Sequence, residues 1–108
     1  MSGAGETAAP QPETVSAPLE RDTDGTWWYL HVPRHVREVF AAYQRRGVVS
    51  VRATIGTTTW DGSLLPWADG SAQLSVNRRI RTAESLDLGD IVVVVLEVRA
   101  AHAPNKRG

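Results

Sequence analysis

Apolar and polar residues alternate along much of the chain, the period-2 signature of strands with one buried face. Residues 14–19 form a short first strand with Val15 and Leu19 as its apolar positions. Residues 27–32 form the next. Trp28, Leu30 and Val32 share one face there, and Trp27, Tyr29 and His31 the other. The cleanest alternation runs over 48–55. It sets Val49, Val51, Ala53 and Ile55 against Val48, Ser50, Arg52 and Thr54. Residues 57–60 are β-prone, residues 63–67 hold Pro66 and read as an edge or loop, and Ala72, Leu74 and Val76 alternate again. The run Ile-Val-Val-Val-Val-Leu-Glu-Val at 91–98 is apolar at nearly every position, which predicts a central strand buried on both faces.

The period changes to that of a helix after Pro33, a residue suited to the first helical turn. Val36, Val39, Phe40 and Tyr43 follow the i, i+3, i+4, i+7 spacing of a buried stripe. The pattern predicts an amphipathic helix over 34–46, with Arg45 and Arg46 in its last turn and Gly47 as its C-terminal cap. Asn77 is a helix N-cap residue and predicts a short second helix from Arg78 to about Ser85, with Ile80 facing inward. Asp24-Gly25, Asp61-Gly62 and Asp69-Gly70 are turn pairs. Turns between short strands predict antiparallel pairing. A closed or partly closed barrel then buries the edges of so small a sheet.

Residues 1–13 carry Gly, Ala, Pro and Glu with no large apolar residue after Met1, and residues 102–108 are similarly poor in apolar residues. Both read as disordered tails around one domain over 14–101. No stretch resembles a signal peptide or a membrane span, so the expectation is a soluble, cytoplasmic protein without membrane contact. The chain has 108 residues, no Cys, and 12 basic against 12 acidic residues. The missing Cys excludes disulfides, thiolate metal sites and a Cys nucleophile. The zero net charge excludes a globally basic coat for nucleic acid, but not a local patch. All basic residues but Lys106 are Arg, a bias that fits a GC-rich genome and weakens any single Arg as a sign of anion binding.

Several phrases occur in a fixed order: Trp27-Trp28-Tyr29-Leu30-His31-Val32-Pro33, Val49-Ser50-Val51-Arg52-Ala53-Thr54-Ile55-Gly56, Gly62-Ser63-Leu64-Leu65-Pro66, Asp69-Gly70, Leu74-Ser75-Val76-Asn77-Arg78-Arg79-Ile80-Arg81 and Leu88-Gly89-Asp90. In this the chain resembles the domain-of-unknown-function 1905 family over about residues 14–99. The resemblance implies a mostly β fold, a β-barrel of the double-split type, with one amphipathic helix and one short helix. It implies no reaction. Residues 74–97 alone are also similar to AbrB-like swapped-hairpin modules, which dimerise and bind DNA.

Trp60 and Trp67 flank the Gly62–Pro66 phrase, and aromatic side chains on loops at a barrel mouth can stack on planar ligands or simply lid the barrel. Arg78, Arg79 and Arg81 can grip an acidic group through guanidinium forks, or form a solvated helix face. The leading expectation is a non-catalytic module for a small ligand or peptide. Its binding residues would be Trp60, Trp67, Arg78, Arg81, Trp27 and His31, without cofactor or metal. A dimeric DNA-binding protein using Arg78, Arg79 and Arg81 is the second reading. A cofactor-independent cyclase or isomerase is the third, with His31 as general base beside Asp61 or Asp69. A homodimer follows if the apolar 91–98 strand lies at a sheet edge.

Overall fold

The computed structural model describes residues 10–99; the tails expected at the two ends lie largely outside them. Seven strands form one antiparallel sheet: β1 (Glu13–Pro18), β2 (Glu20–Arg21), β3 (Trp28–Val32), β4 (Val49–Ile55), β5 (Thr58–Pro66), β6 (Ala72–Ser75) and β7 (Ile91–Val98). Their order is β1-β7-β4-β5-β6-β3-β2. Two short helices complete the fold, α1 (Arg34–Val39) and α2 (Arg78–Ala83).

The sheet closes because its two ends are one stretch of chain. β1 pairs with β7, and two residues further on β2 pairs with β3. Leu19 makes the handover. Its N–H donates to the Asp90 carbonyl and its carbonyl accepts from Gly89 N–H, both at 2.9 Å. Nearly every strand edge is thereby satisfied within one chain, which yields the mostly β, nearly closed barrel that the alternation predicts.

Inward positions supply the core. Val49, Val51 and Ala53 of β4, Leu64 of β5, Leu74 of β6 and Val94 and Leu96 of β7 are all buried. α1 contributes Val36 and Phe40, and α2 contributes Ile80.

Four local expectations fail, each for a tertiary reason. The first helix ends at Val39 rather than at residue 46, and a 3-10 turn follows at Ala41–Tyr43. Arg46 and Gly47 both take positive φ, 56° and 83°, and Arg45 and Val48 exchange two backbone hydrogen bonds around them. That two-residue hairpin needs the very residues the longer helix would have used. Val39 is exposed, so the buried stripe reduces to Val36 and Phe40.

Asp61-Gly62 is no turn. β5 runs straight through it, and Asp61 lies opposite Arg52 in a seven-pair ladder with β4. The reversal falls at Gly56-Thr57 instead. Residues 63–66 are likewise no edge or loop, because β5 pairs with both β4 and β6 and Pro66 sits only at its end.

β7 is central, between β1 and β4, yet only one of its faces is buried. Ile91 and Val93 are 68% and 53% exposed. An antiparallel barrel has no second layer over its outer surface, unlike a parallel sheet covered by helices. Because β7 is paired on both sides, the edge position on which the homodimer expectation rested does not exist.

Candidate functional site

α2 lies across one end of the barrel, and the sequence explains why it starts and stops where it does. The Asn77 side chain accepts from Ile80 N–H at 3.0 Å, satisfying one of the free donors of the first turn. Ile80 points into the core and anchors the helix. At the other end Ser85 takes φ 55°, Leu86 N–H reaches back to the Arg81 carbonyl and Ser85 N–H to the Thr82 carbonyl. This is a Schellman stop with Ser at the left-handed position that Gly usually fills.

The end of α2 is tied to the β4–β5 hairpin. The Glu84 carboxylate accepts from the Thr58 hydroxyl at 2.5 Å and the Thr57 hydroxyl at 3.4 Å. Gly56 at the hairpin tip has φ +57°, and a methyl group there would overlap the Glu84 carboxylate. Only glycine serves both demands.

Arg81 is the most constrained polar side chain at this end. Its Nη1 donates to the Val76 carbonyl at 2.7 Å, and its guanidinium lies 4.2 Å from the centre of the Trp28 ring. The Arg21 guanidinium approaches the same ring at 5.5 Å. Burial, and after it the neighbouring Arg78 charge, pull the Arg81 pKa down. An Arg starts so far above neutrality that it stays a cation.

Beside it, Arg78, Arg81, Thr82, Ser85, Leu86 and Asp87 line an open depression of about 350 Å³. Arg78, Arg81 and Thr82 follow the i, i+3, i+4 face of α2, and Ser85 adds its hydroxyl from the turn that ends the helix. The walls therefore offer two cations, two hydroxyls, one carboxylate and one apolar side chain. Arg79 is exposed and does not line the depression.

The six residues expected to form a site fall in three places. Arg78 and Arg81 meet at the depression, and Trp60 lies at the same end of the barrel but faces inward. Its indole lies over Gly62, whose absent side chain makes the room: a Cβ there would stand 3.1 Å from Trp60 Nε1. Trp60 packs on the core as a half-buried side chain. Trp67 is 49% exposed, beyond the opposite end of β5. Seven residues of largely extended chain set the two backbone positions roughly 23 Å apart, at opposite ends of β5, so the two indoles do not form one mouth. His31 lies on the outer face of β3 and Trp27 just before its first residue, both away from the core.

His31 adds to the lowering of the Asp69 pKa, which the Ser71 hydroxyl and N–H chiefly cause. Asp61 is held by Arg52 at 3.3 Å and Arg99 at 3.7 Å, outside the barrel. Among the described residues no cluster of His, Asp and Glu suits a metal ion. No described helix is long and apolar enough to cross a membrane.

Thr82, Ser85, Leu86, Asp87 and the Trp28 ring were not among the expected site residues. The helical face that begins at Arg78 carries the signal for Thr82. Nothing in the sequence announces that the Trp28 ring meets Arg81.

A second depression, of about 210 Å³, lies among Arg34, Arg37, Glu38, Ala41, Gln44 and Gly70. Arg37 is already spent there on the carbonyls of Gly70, Ser71 and Gly47.

Residues 16–96 match the family model described as a domain of unknown function, DUF1905. No curated protein shows significant similarity to the chain. The match covers most of the chain, with β2 to β6 whole and most of β7 and half of β1, and the chain belongs to that family.

Proposed function

We propose that this member of the DUF1905 family is a binding module whose α2 depression holds a small acidic ligand. The observation that carries the reading is Arg81. An exposed Arg gives up about 2 kcal/mol of side-chain freedom when a ligand immobilises it. Arg81 has already lost much of that freedom through the Val76 carbonyl and the Trp28 ring. A preorganised cation beside a concave surface binds an anion at lower entropic cost. Arg78 supplies a second guanidinium, which can fork to a carboxylate or phosphate. Thr82 and Ser85 can donate to further oxygens, and Asp87 can accept from a ligand hydroxyl. The ligand that fits these walls is an acid that also carries hydroxyl groups.

The test is an NMR titration of the Arg78 and Arg81 Nε–Hε resonances with gluconate and with inorganic phosphate. Saturable shifts of both, lost in Arg78→Ala, are the expected result. Gluconate binds more tightly than phosphate if the hydroxyl groups and Asp87 take part. Shifts that stay linear to high concentration, or that survive Arg78→Ala, overturn the reading.

A further inference from the structure

A different face of the barrel carries a second, unused arrangement. β2 and β3 pair with Glu20 opposite Tyr29 and Arg21 opposite Trp28. Asp22 N–H donates to the Trp27 carbonyl at 2.9 Å, which extends the ladder by one residue. Alternation along both strands then sorts the side chains. Arg21 lies with Trp28 on one side. Glu20 and Asp22 lie with Tyr29 and Trp27 on the other, the outer surface.

The two aromatic residues are in contact. Their ring centroids are 4.8 Å apart with the planes tilted by 33°. Both side chains are half-buried, so each ring keeps reachable surface. Burial raises the Tyr29 pKa, and Glu20 and Asp22 add to the rise, Glu20 also as a hydrogen-bond partner. Both carboxylates therefore act on the Tyr29 hydroxyl, and Asp22 Oδ1 also accepts from the Trp27 backbone N–H at 3.2 Å.

The contrast with Trp28 decides the chemistry. Trp28 has two guanidinium groups over its ring. Among the described residues, Trp27 and Tyr29 have none, and neither Glu20 nor Asp22 forms an ion pair. Two ring faces and two carboxylates share one surface without a cation between them. The rings present negative quadrupole faces and the carboxylates full negative charge, so both attract the same kind of group. A guanidinium suits the pair better than an ammonium. Its plane can lie on a ring while its edge donates to a carboxylate.

We infer that the outer face formed by Trp27, Tyr29, Glu20 and Asp22 docks an arginine side chain of a partner polypeptide. The site is separate from the α2 depression and does not depend on it.

The experiment follows the Trp27 indole N–H by NMR, assigned with Trp27→Phe, while an acetyl-Gly-Arg-Gly-amide peptide is added. The controls are the same peptide with citrulline in place of arginine, and tetramethylammonium. Citrulline keeps the shape and removes the charge. The expected result is a saturable shift with the arginyl peptide, with citrulline weaker by about fivefold or more, as the loss of a cation–ring contact and its charge partner requires. Glu20→Gln and Asp22→Asn weaken the arginyl peptide by about threefold each or more. Asp22→Asn keeps an acceptor for the Thr26 and Trp27 N–H groups, so the turn survives. Arg78→Ala leaves the response unchanged. Equal response to citrulline, or no shift at all, overturns the proposal. Tetramethylammonium binding as tightly as the arginyl peptide also overturns it, because the site is then one for small organic cations.

Discussion

Gly56→Ala measures the coupling between the β4–β5 hairpin and α2, on which the position of Arg81 depends. Two costs arise. Alanine at φ +57° is strained, by about 1–3 kcal/mol. Its methyl group also displaces the Glu84 carboxylate, which then loses the Thr58 hydroxyl at 2.5 Å. A half-buried hydrogen bond to a charged group contributes about 1.5–3 kcal/mol. The single substitution therefore destabilises by about 2.5–6 kcal/mol. Glu84→Ala alone removes the hydrogen bond and costs about 1.5–3 kcal/mol. In that background the methyl group meets no carboxylate, and Gly56→Ala costs only the strain, about 1–3 kcal/mol. The double variant is thus more stable than the sum of the singles implies, by about 1.5–3 kcal/mol. Urea unfolding followed by tryptophan fluorescence, on wild type, both singles and the double, gives all four corners. If the two substitutions add to within about 0.5 kcal/mol, Glu84 is not held against Gly56 and the tie between hairpin and α2 is refuted.

Asn77→Ala removes the α2 cap and lowers stability by about 1 kcal/mol in the same assay, whereas Asn77→Asp leaves it nearly unchanged. Gly62→Ala sets a methyl group 3.1 Å from Trp60 Nε1. It costs about 1–3 kcal/mol, and Trp60→Phe relieves part of that. Arg81→Lys keeps the charge but cannot both lie on Trp28 and reach the Val76 carbonyl, so gluconate binding falls even where thermal stability is largely kept. The Tyr29 phenol has a folded pKa raised above its unfolded value, so it binds its proton more tightly in the folded state. Its contribution to stability is complete below about pH 10 and is lost as pH rises through the raised value. Melting temperature against pH falls less steeply above that point in Tyr29→Phe; identical slopes would remove the claim.

Where one face alternates cleanly, the amino-acid pattern alone determines which residues face the core of this barrel. Val49, Val51, Ala53 and Ile55 alternate in β4 and are all buried, and the Asn77 cap starts α2 where a cap must. These features depend on neighbours in sequence, whose spacing is written in the chain. The ordered phrases from Trp27 to Asp90 likewise carry the family. Arg78 and Arg81 could be picked as candidate residues because they belong to a basic cluster that follows the Asn77 cap.

Pairing between distant strands decided the rest. Asp61-Gly62 has the composition of a turn, but a seven-pair ladder with β4 outweighs one local preference. The 34–46 pattern reads as one helix until Arg45 and Val48 find each other across a tight turn. The run 91–98 looks buried on both faces, yet its outer face stays wet because a single-layer barrel has nothing to cover it. Trp60 and Trp67 flank one phrase but stand at opposite ends of a straight strand, where seven residues at about 3.3 Å each keep them apart. The Arg81–Trp28 stack joins residues 53 positions apart, and the quartet of Glu20, Asp22, Trp27 and Tyr29 exists only once β2 and β3 settle their register. Contacts of that kind follow from how the barrel closes, and closure is a property of the whole sheet.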